Sequence, residues 1–194
     1  MKKSLKGSLL VASPSLTDPN FVRTVVFIAE HNEEGAFGLV LNRPRPLELK
    51  DLWANISQEP CSIESPTFYG GPVQENAVTF LHGYEDLVSE TPAVVPGVFL
   101  GSDVDLLRSV LHRSGGGDTG ASNDLASLRV FCGYSGWGPG QLDSELETGG
   151  WLTLPASAEL VFTVPPEKLW RIAMELLGGA YRFFALMPPD PELN

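Results

Sequence analysis

The stretch Val130-Phe131-Cys132-Gly133-Tyr134-Ser135-Gly136-Trp137-Gly138-Pro139-Gly140-Gln141-Leu142 decides the fold. It continues through Asp143, Glu145 and Leu146 to Gly149-Gly150-Trp151-Leu152-Thr153-Leu154. It reads as a strand, a glycine-rich turn, one short helix, a second turn and a strand. Four of the 20 glycines and one of the 4 tryptophans fall between Gly133 and Gly140, so backbone freedom and a bulky aromatic are concentrated in one place.

Working outward, Leu128–Tyr134 is the central strand that feeds this motif. Before it, Thr24–Ala29 is a β-branched, apolar run and Phe37–Asn42 returns after a short loop, which predicts a hairpin over 24–42. Residues 5–13 form a first strand, followed by a dense turn cluster from Ser13 to Asn20. Leu49, Leu52, Trp53 and Ile56 recur at helical spacing. Thr67–Val73 and Ala77–Gly83 read as strands, and Val94–Leu100 as an edge or bulged strand, since it carries Pro96 and Gly97. Ser102 is placed to cap a helix whose buried face is Leu106, Leu107, Val110 and Leu111. Leu160–Val164 reads as β-rich. The last helix starts at Pro165-Pro166, buries Leu169, Trp170, Ala173, Leu176 and Leu177, and stops at Gly178-Gly179. Residues 114–127 predict a mobile loop and 187–194 a flexible tail. The triple glycine at 115–117 is no phosphate cradle, because its segment lacks any lysine or arginine. Hairpin-spaced strands without βαβ alternation predict an α+β fold, largely antiparallel, in a single domain over 1–194.

With 194 residues, 43% of them apolar and 19% charged, the chain can bury a sizeable core. No apolar run is long enough to span a bilayer, and Lys6 and Ser8 interrupt the start before it can act as a signal peptide. A cytoplasmic location is expected. Cys61 and Cys132 form no CxxC pair, so a zinc ribbon or thioredoxin motif is excluded. The net charge is −11, and residues 51–107 contain nine acids and no lysine or arginine. An acidic middle third without a basic face or helix-turn-helix argues against direct nucleic-acid binding.

The run Gly7–Pro14, the segments Asp18–Val25 and Glu30-His31, and Gly35–Pro44 with its Asn42-Arg43-Pro44 end resemble the YqgE/AlgH family of small bacterial proteins. So do Gly70-Gly71-Pro72-Val73, Leu81-His82, Phe131–Leu142 with Glu145, and Gly150-Trp151. The resemblance covers essentially the whole chain. It implies a bifurcated, mostly antiparallel sheet, part of it closed into a small β-barrel and surrounded by helices. It also brings the family's label of transcriptional regulator, which rests on genetic association, and no agreed catalytic residues. Ser135 stands where the family pattern has alanine.

Gly133-Tyr134-Ser135-Gly136-Trp137 approaches a nucleophile elbow, but Trp137 replaces the second glycine and no histidine is nominated as base. Glu30-His31 and His82 lack the spacing of a metal site. No catalytic residue, cofactor or metal is therefore expected. The candidate ligand- or partner-binding residues are Asn42, Arg43, Gly70, Gly71, Pro72, His82, Tyr134, Trp137, Gln141 and Glu145. Brought together, an amide, a guanidinium and an aromatic wall would line a pocket for a small polar ligand or a protein partner. The expected function is that of a binding or regulatory protein. The alternatives are an enzyme acting on a small polar substrate and a transcriptional regulator that works through a protein partner.

Overall fold

The computed structural model describes residues 4–57, 59–61, 63–88, 92–114 and 127–187. The predicted loop over 114–127 and the predicted tail over 187–194 lie, apart from their first or last residue, outside the described residues.

Among the described residues, nine strands form one sheet. The hairpin appears as β2 (Val25–Asn32) and β3 (Gly35–Val40). β1 (Ser8–Ala12) pairs antiparallel with β2 on one side and with β9 (Trp151–Pro155) on the other. β4 (Pro44–Glu48) leads into helix α1 (Leu49–Ser57), and β5 (Pro66–Tyr69) returns against β4. β6 (Val73–His82) carries the short β7 (Phe99–Gly101) at its far end. Helix α2 (Val104–Ser114) follows, then β8 (Leu128–Trp137), α3 (Gln141–Glu147), β9, α4 (Pro166–Leu177) and α5 (Tyr181–Ala185).

The sheet branches at β8. This strand pairs antiparallel with β6 along most of its length, parallel with β5 at Phe131 and Cys132, and antiparallel with β3 at Ser135 to Trp137. Among the described residues the β5 pairing is the one parallel pairing, so the expectation of a mostly antiparallel α+β fold holds. The expected small barrel does not form. The strand path runs from β4 to β9, and these two ends do not pair, so the sheet is open.

Both faces of the hairpin region are covered, which is why its strands read as continuous apolar runs. Leu9, Val11, Phe27 and Leu39 pack with Leu169, Trp170, Ala173 and Met174 of α4. The alternate residues Leu10, Ala12, Val26, Ile28 and Val40 face Trp137, Leu142 and Trp151 on the other side. A third cluster joins Leu49 and Trp53 of α1 to Leu107, Val110 and Leu111 of α2 over Phe80 and Val130. Arg129 is buried among apolar groups and ties the layers together. It donates to the carbonyls of Leu41 at 2.8 Å and Val164 at 3.0 Å.

Local expectations differ from the structure at five places. β8 runs unbroken through Gly133 and Gly136 to Trp137, so the turn is confined to Gly138–Gly140. Gly133, already inside the expected strand, marks close backbone approach, since a Cβ there would sit 2.6 Å from the Gly71 carbonyl oxygen. Val95 and Val98 bridge across a tight turn at Pro96-Gly97, leaving only Phe99–Gly101 as strand. Asp103, not Ser102, caps α2: its Oδ1 accepts the N–H groups of Asp105 and Leu106. Glu159–Thr163 is a π-helical turn and not a strand. A mostly apolar run of five ending at a proline is compatible with either element, and the Val161 N–H to Ser157 carbonyl bond selects the helical one. Leu176, expected inside, is 56% exposed.

Candidate functional site

The decisive stretch builds one side of a cleft. β8 ends at Trp137, Gly138–Gly140 turns the chain, and α3 brings Gln141 and Glu145 back beside the strand end. β9 then places Trp151 edge-on to Trp137, with ring centroids 6.1 Å apart. Glu145 closes the arrangement. Its Oε2 accepts the indole N–H of Trp137 at 2.9 Å and that of Trp151 at 2.8 Å. Its Oε1 accepts the Gln141 amide at 2.9 Å, and the Gln141 carbonyl oxygen accepts the Gly138 N–H at 3.1 Å. The motif is thus a hydrogen-bonded unit in which a carboxylate fixes two aromatic rings.

The opposite wall is the turn cluster after β1. Phe21 stacks on Trp137 at 6.2 Å and meets Trp151 edge-on at 5.4 Å. Asp18 shapes this turn: its backbone oxygen accepts the N–H groups of Phe21 and Val22, and its Oδ1 accepts the Asn20 N–H. Between the walls lies a cleft of about 290 Å³, completed by Leu16, Pro72 and Thr148. Among the described residues, Asp18 and Glu145 are the only charged ones that line it.

Of the expected site residues, Pro72, Trp137, Gln141 and Glu145 line this cleft. Asn42 and Arg43 stand behind it. The Asn42 amide accepts the Val25 N–H and donates to the Arg23 carbonyl, and Arg43 donates to the carbonyls of Val22 and Pro19. They hold the segment that presents Asp18 and Phe21. Gly70 and Gly71 pack backbone to backbone on β8. A Cβ at Gly70 would meet the Gly133 carbonyl oxygen at 2.1 Å, and one at Gly71 would meet the carbonyl carbon of Tyr134 at 2.3 Å. Tyr134 packs on Phe37, centroids 5.0 Å apart, against the main core cluster. His82 is fully buried on β6, ringed by Phe80, Tyr84 and Phe99. Its Nδ1 accepts the Tyr84 N–H, its Nε2 has no partner among the described residues, and burial holds its imidazole below the usual value.

Ser135 is not poised for attack. It is fully buried and donates to the Gly70 carbonyl at 3.1 Å. His31 accepts the Leu5 N–H on Nδ1. Among the described residues, no three His, Cys, Asp or Glu side chains converge in a way that would hold a metal. No helix among them is long and apolar enough to cross a membrane. Sequence reasoning missed Leu16, Asp18, Phe21 and Thr148, and read Trp151 only as packing. The one available signal was an aromatic, Phe21, directly after the Asp18-Pro19-Asn20 turn.

The fold and cleft define an α+β protein with a branched, open sheet and a small aromatic-walled cleft. The chain belongs to the AlgH-like family (DUF179), whose model matches residues 9–182. A UPF0301 protein of Chlorobium limicola is 40% identical over 188 residues, spanning 97% of this chain and 95% of its own. The UPF0301 protein SCO2948 of Streptomyces coelicolor is 40% identical over 200 residues, spanning 98% and 96%. The solution structure of the AlgH protein from Pseudomonas aeruginosa aligns with a TM-score of 0.72 at 30% identity, over 98% of this chain and 97% of that one. Protein DIP2367 from Corynebacterium diphtheriae shares the fold, with a TM-score of 0.70 at 22% identity over 96% and 94%.

Proposed function

We propose that this chain is a cytoplasmic binding or regulatory protein whose working surface is the cleft between α3 and the Leu16–Phe21 turn. The observation that supports this most is the Glu145 clamp. A carboxylate that fixes two indole rings beside an open cleft of about 290 Å³ is preorganised, and its volume suits a small polar molecule or a single protruding side chain. Catalysis is the weaker reading, because Ser135, the serine of the elbow-like motif, is buried and hydrogen-bonded to backbone. Direct DNA binding is weaker still, since the charged residues lining the cleft are acidic.

Native mass spectrometry of gently purified protein, set against its denatured mass, tests the reading. The comparison is repeated on Gly150→Leu. A Cβ at Gly150 meets the Glu145 carbonyl oxygen at 3.4 Å and Leu16 at 3.7 Å, so a leucine there fills the cleft. Excess mass in the wild type that Gly150→Leu loses supports the cleft. Excess mass retained by the variant places binding elsewhere.

A second reading, regulation through a protein partner, is favoured by the C-terminal helices. Phe183 and Leu186, on and just after α5, are 74% and 79% exposed, more than a lone surface apolar residue requires.

A further inference from the structure

We infer that the cleft takes an organic cation, an ammonium or guanidinium group carried by a small molecule or by a basic side chain. This rests on the cleft being the binding site and adds the charge and hydrogen-bonding character of what enters it.

Of the side-chain donors at the cleft, all but one N–H of the Gln141 amide are committed to the protein. Both indole N–H groups and the Gln141 amide donate to Glu145. The Thr148 hydroxyl donates to the Glu145 backbone oxygen. The Gly150 N–H does the same, and the Gly138 N–H donates to Gln141.

What otherwise remains is acceptor capacity. Glu145 Oε1 receives a single donor, and each carboxylate oxygen can take two. Asp18 receives one donor on Oδ1, and no donor within the described residues reaches Oδ2. Neither carboxylate is paired with a basic side chain among the described residues, and none lines the cleft. The nearest guanidinium that braces this wall, Arg43, is turned onto the Pro19 and Val22 carbonyls. An entering group therefore meets two negative charges and spare acceptors. An anion or an acceptor-rich ligand would find a single amide N–H of Gln141 and unfavourable charge. A cation finds complementary charge, with the part-exposed Phe21 ring available to its face. Both ammonium and guanidinium are donors with no acceptor, which matches what the cleft lacks.

The test is a titration of the full chain followed by the indole N–H resonances of Trp137 and Trp151 in ¹⁵N-labelled protein. The probes are methylguanidinium, ethylammonium and the blocked tripeptide Ala-Arg-Ala, with acetate, inorganic phosphate and neutral acetamide as controls. Saturable shifts with the cations alone support the inference. In that case, tripeptide binding about tenfold or more tighter than methylguanidinium assigns the cation to a polypeptide side chain, and equal affinity assigns it to a small molecule. Asp18→Asn keeps the acceptor for the Asn20 N–H and removes only charge, so cation binding should weaken about three- to fivefold while the unliganded indole signals stay in place. Saturation by acetate, phosphate or acetamide without saturation by a cation overturns the cation assignment and leaves the cleft as the site. Saturation by none of the six overturns both.

Discussion

Oε2 of Glu145 accepts the indole N–H of Trp151 at 2.8 Å, and the same oxygen accepts the indole of Trp137, fourteen residues earlier in the chain, at 2.9 Å. One carboxylate on a seven-residue helix therefore couples the end of β8 to the start of β9. Glu145→Ala leaves two part-buried indole donors without an acceptor. Unfolding in urea should show a loss of roughly 2–3 kcal/mol, with a shift in tryptophan emission. Glu145→Gln, which keeps an acceptor, should lose less than half of that.

Gly71 sits at φ 149°, and a Cβ on it would lie 2.4 Å from the backbone nitrogen of Ser135. Backbone on both sides of the contact leaves nothing to swing aside. Gly71→Ala should cost about 3 kcal/mol or more, read as a drop in urea midpoint or in soluble yield. Gly140→Ala, where a Cβ meets nothing within 4 Å but φ is 70°, should cost only about 1 kcal/mol.

His82 imposes a pH dependence. Burial depresses its folded pKa from the ordinary 6.5, so the unfolded chain binds the proton more readily. Its contribution is fully present above the unfolded value and is lost as pH falls from about 6.5 through the lower folded value. Urea midpoints measured between pH 8 and pH 5 should fall more steeply for the wild type than for His82→Phe, which suits the ring of Phe80, Tyr84 and Phe99 and cannot titrate. Equal slopes would show that His82 does not carry the effect.

Arg43 reaches the cleft only through the Asp18–Val22 turn. Its bonds to Val22 at 3.0 Å and Pro19 at 3.4 Å are exposed, so Arg43→Ala should change stability by less than about 1 kcal/mol. Hydrogen exchange at the Phe21 and Val22 amides should nevertheless speed up, because the segment they belong to loses its outer anchor.

Much of this architecture was legible in the chain. Thr24–Asn42 announced its hairpin through a β-branched run, a short polar loop and a returning apolar run, and Leu49, Trp53 and the α4 residues announced helices through their 3.6-residue period. Four cleft residues, Pro72, Trp137, Gln141 and Glu145, stood out by type alone. Local signals misled where two causes share one signature. Gly136 sits within β8, though glycine equally marks a turn, and the apolar run at 160–164 coils, though it equally suits a strand. The resemblance suggested a closed barrel, but closure depends on whether β4 and β9 meet, and no residue in either strand records that.

By itself the sequence determined the elements and the aromatic, acidic chemistry available, because periodicity, turn residues and side-chain type are local properties. Only the tertiary structure decided which of these groups share a site. Asp18 and Phe21 face Trp137 across more than a hundred residues because β1, β2 and β3 stack their register onto the end of β8, while Gly71 is consumed in packing and His82 is buried under another face. Long-range strand pairing sets those distances, and it is a property of the whole sheet rather than of any segment within it.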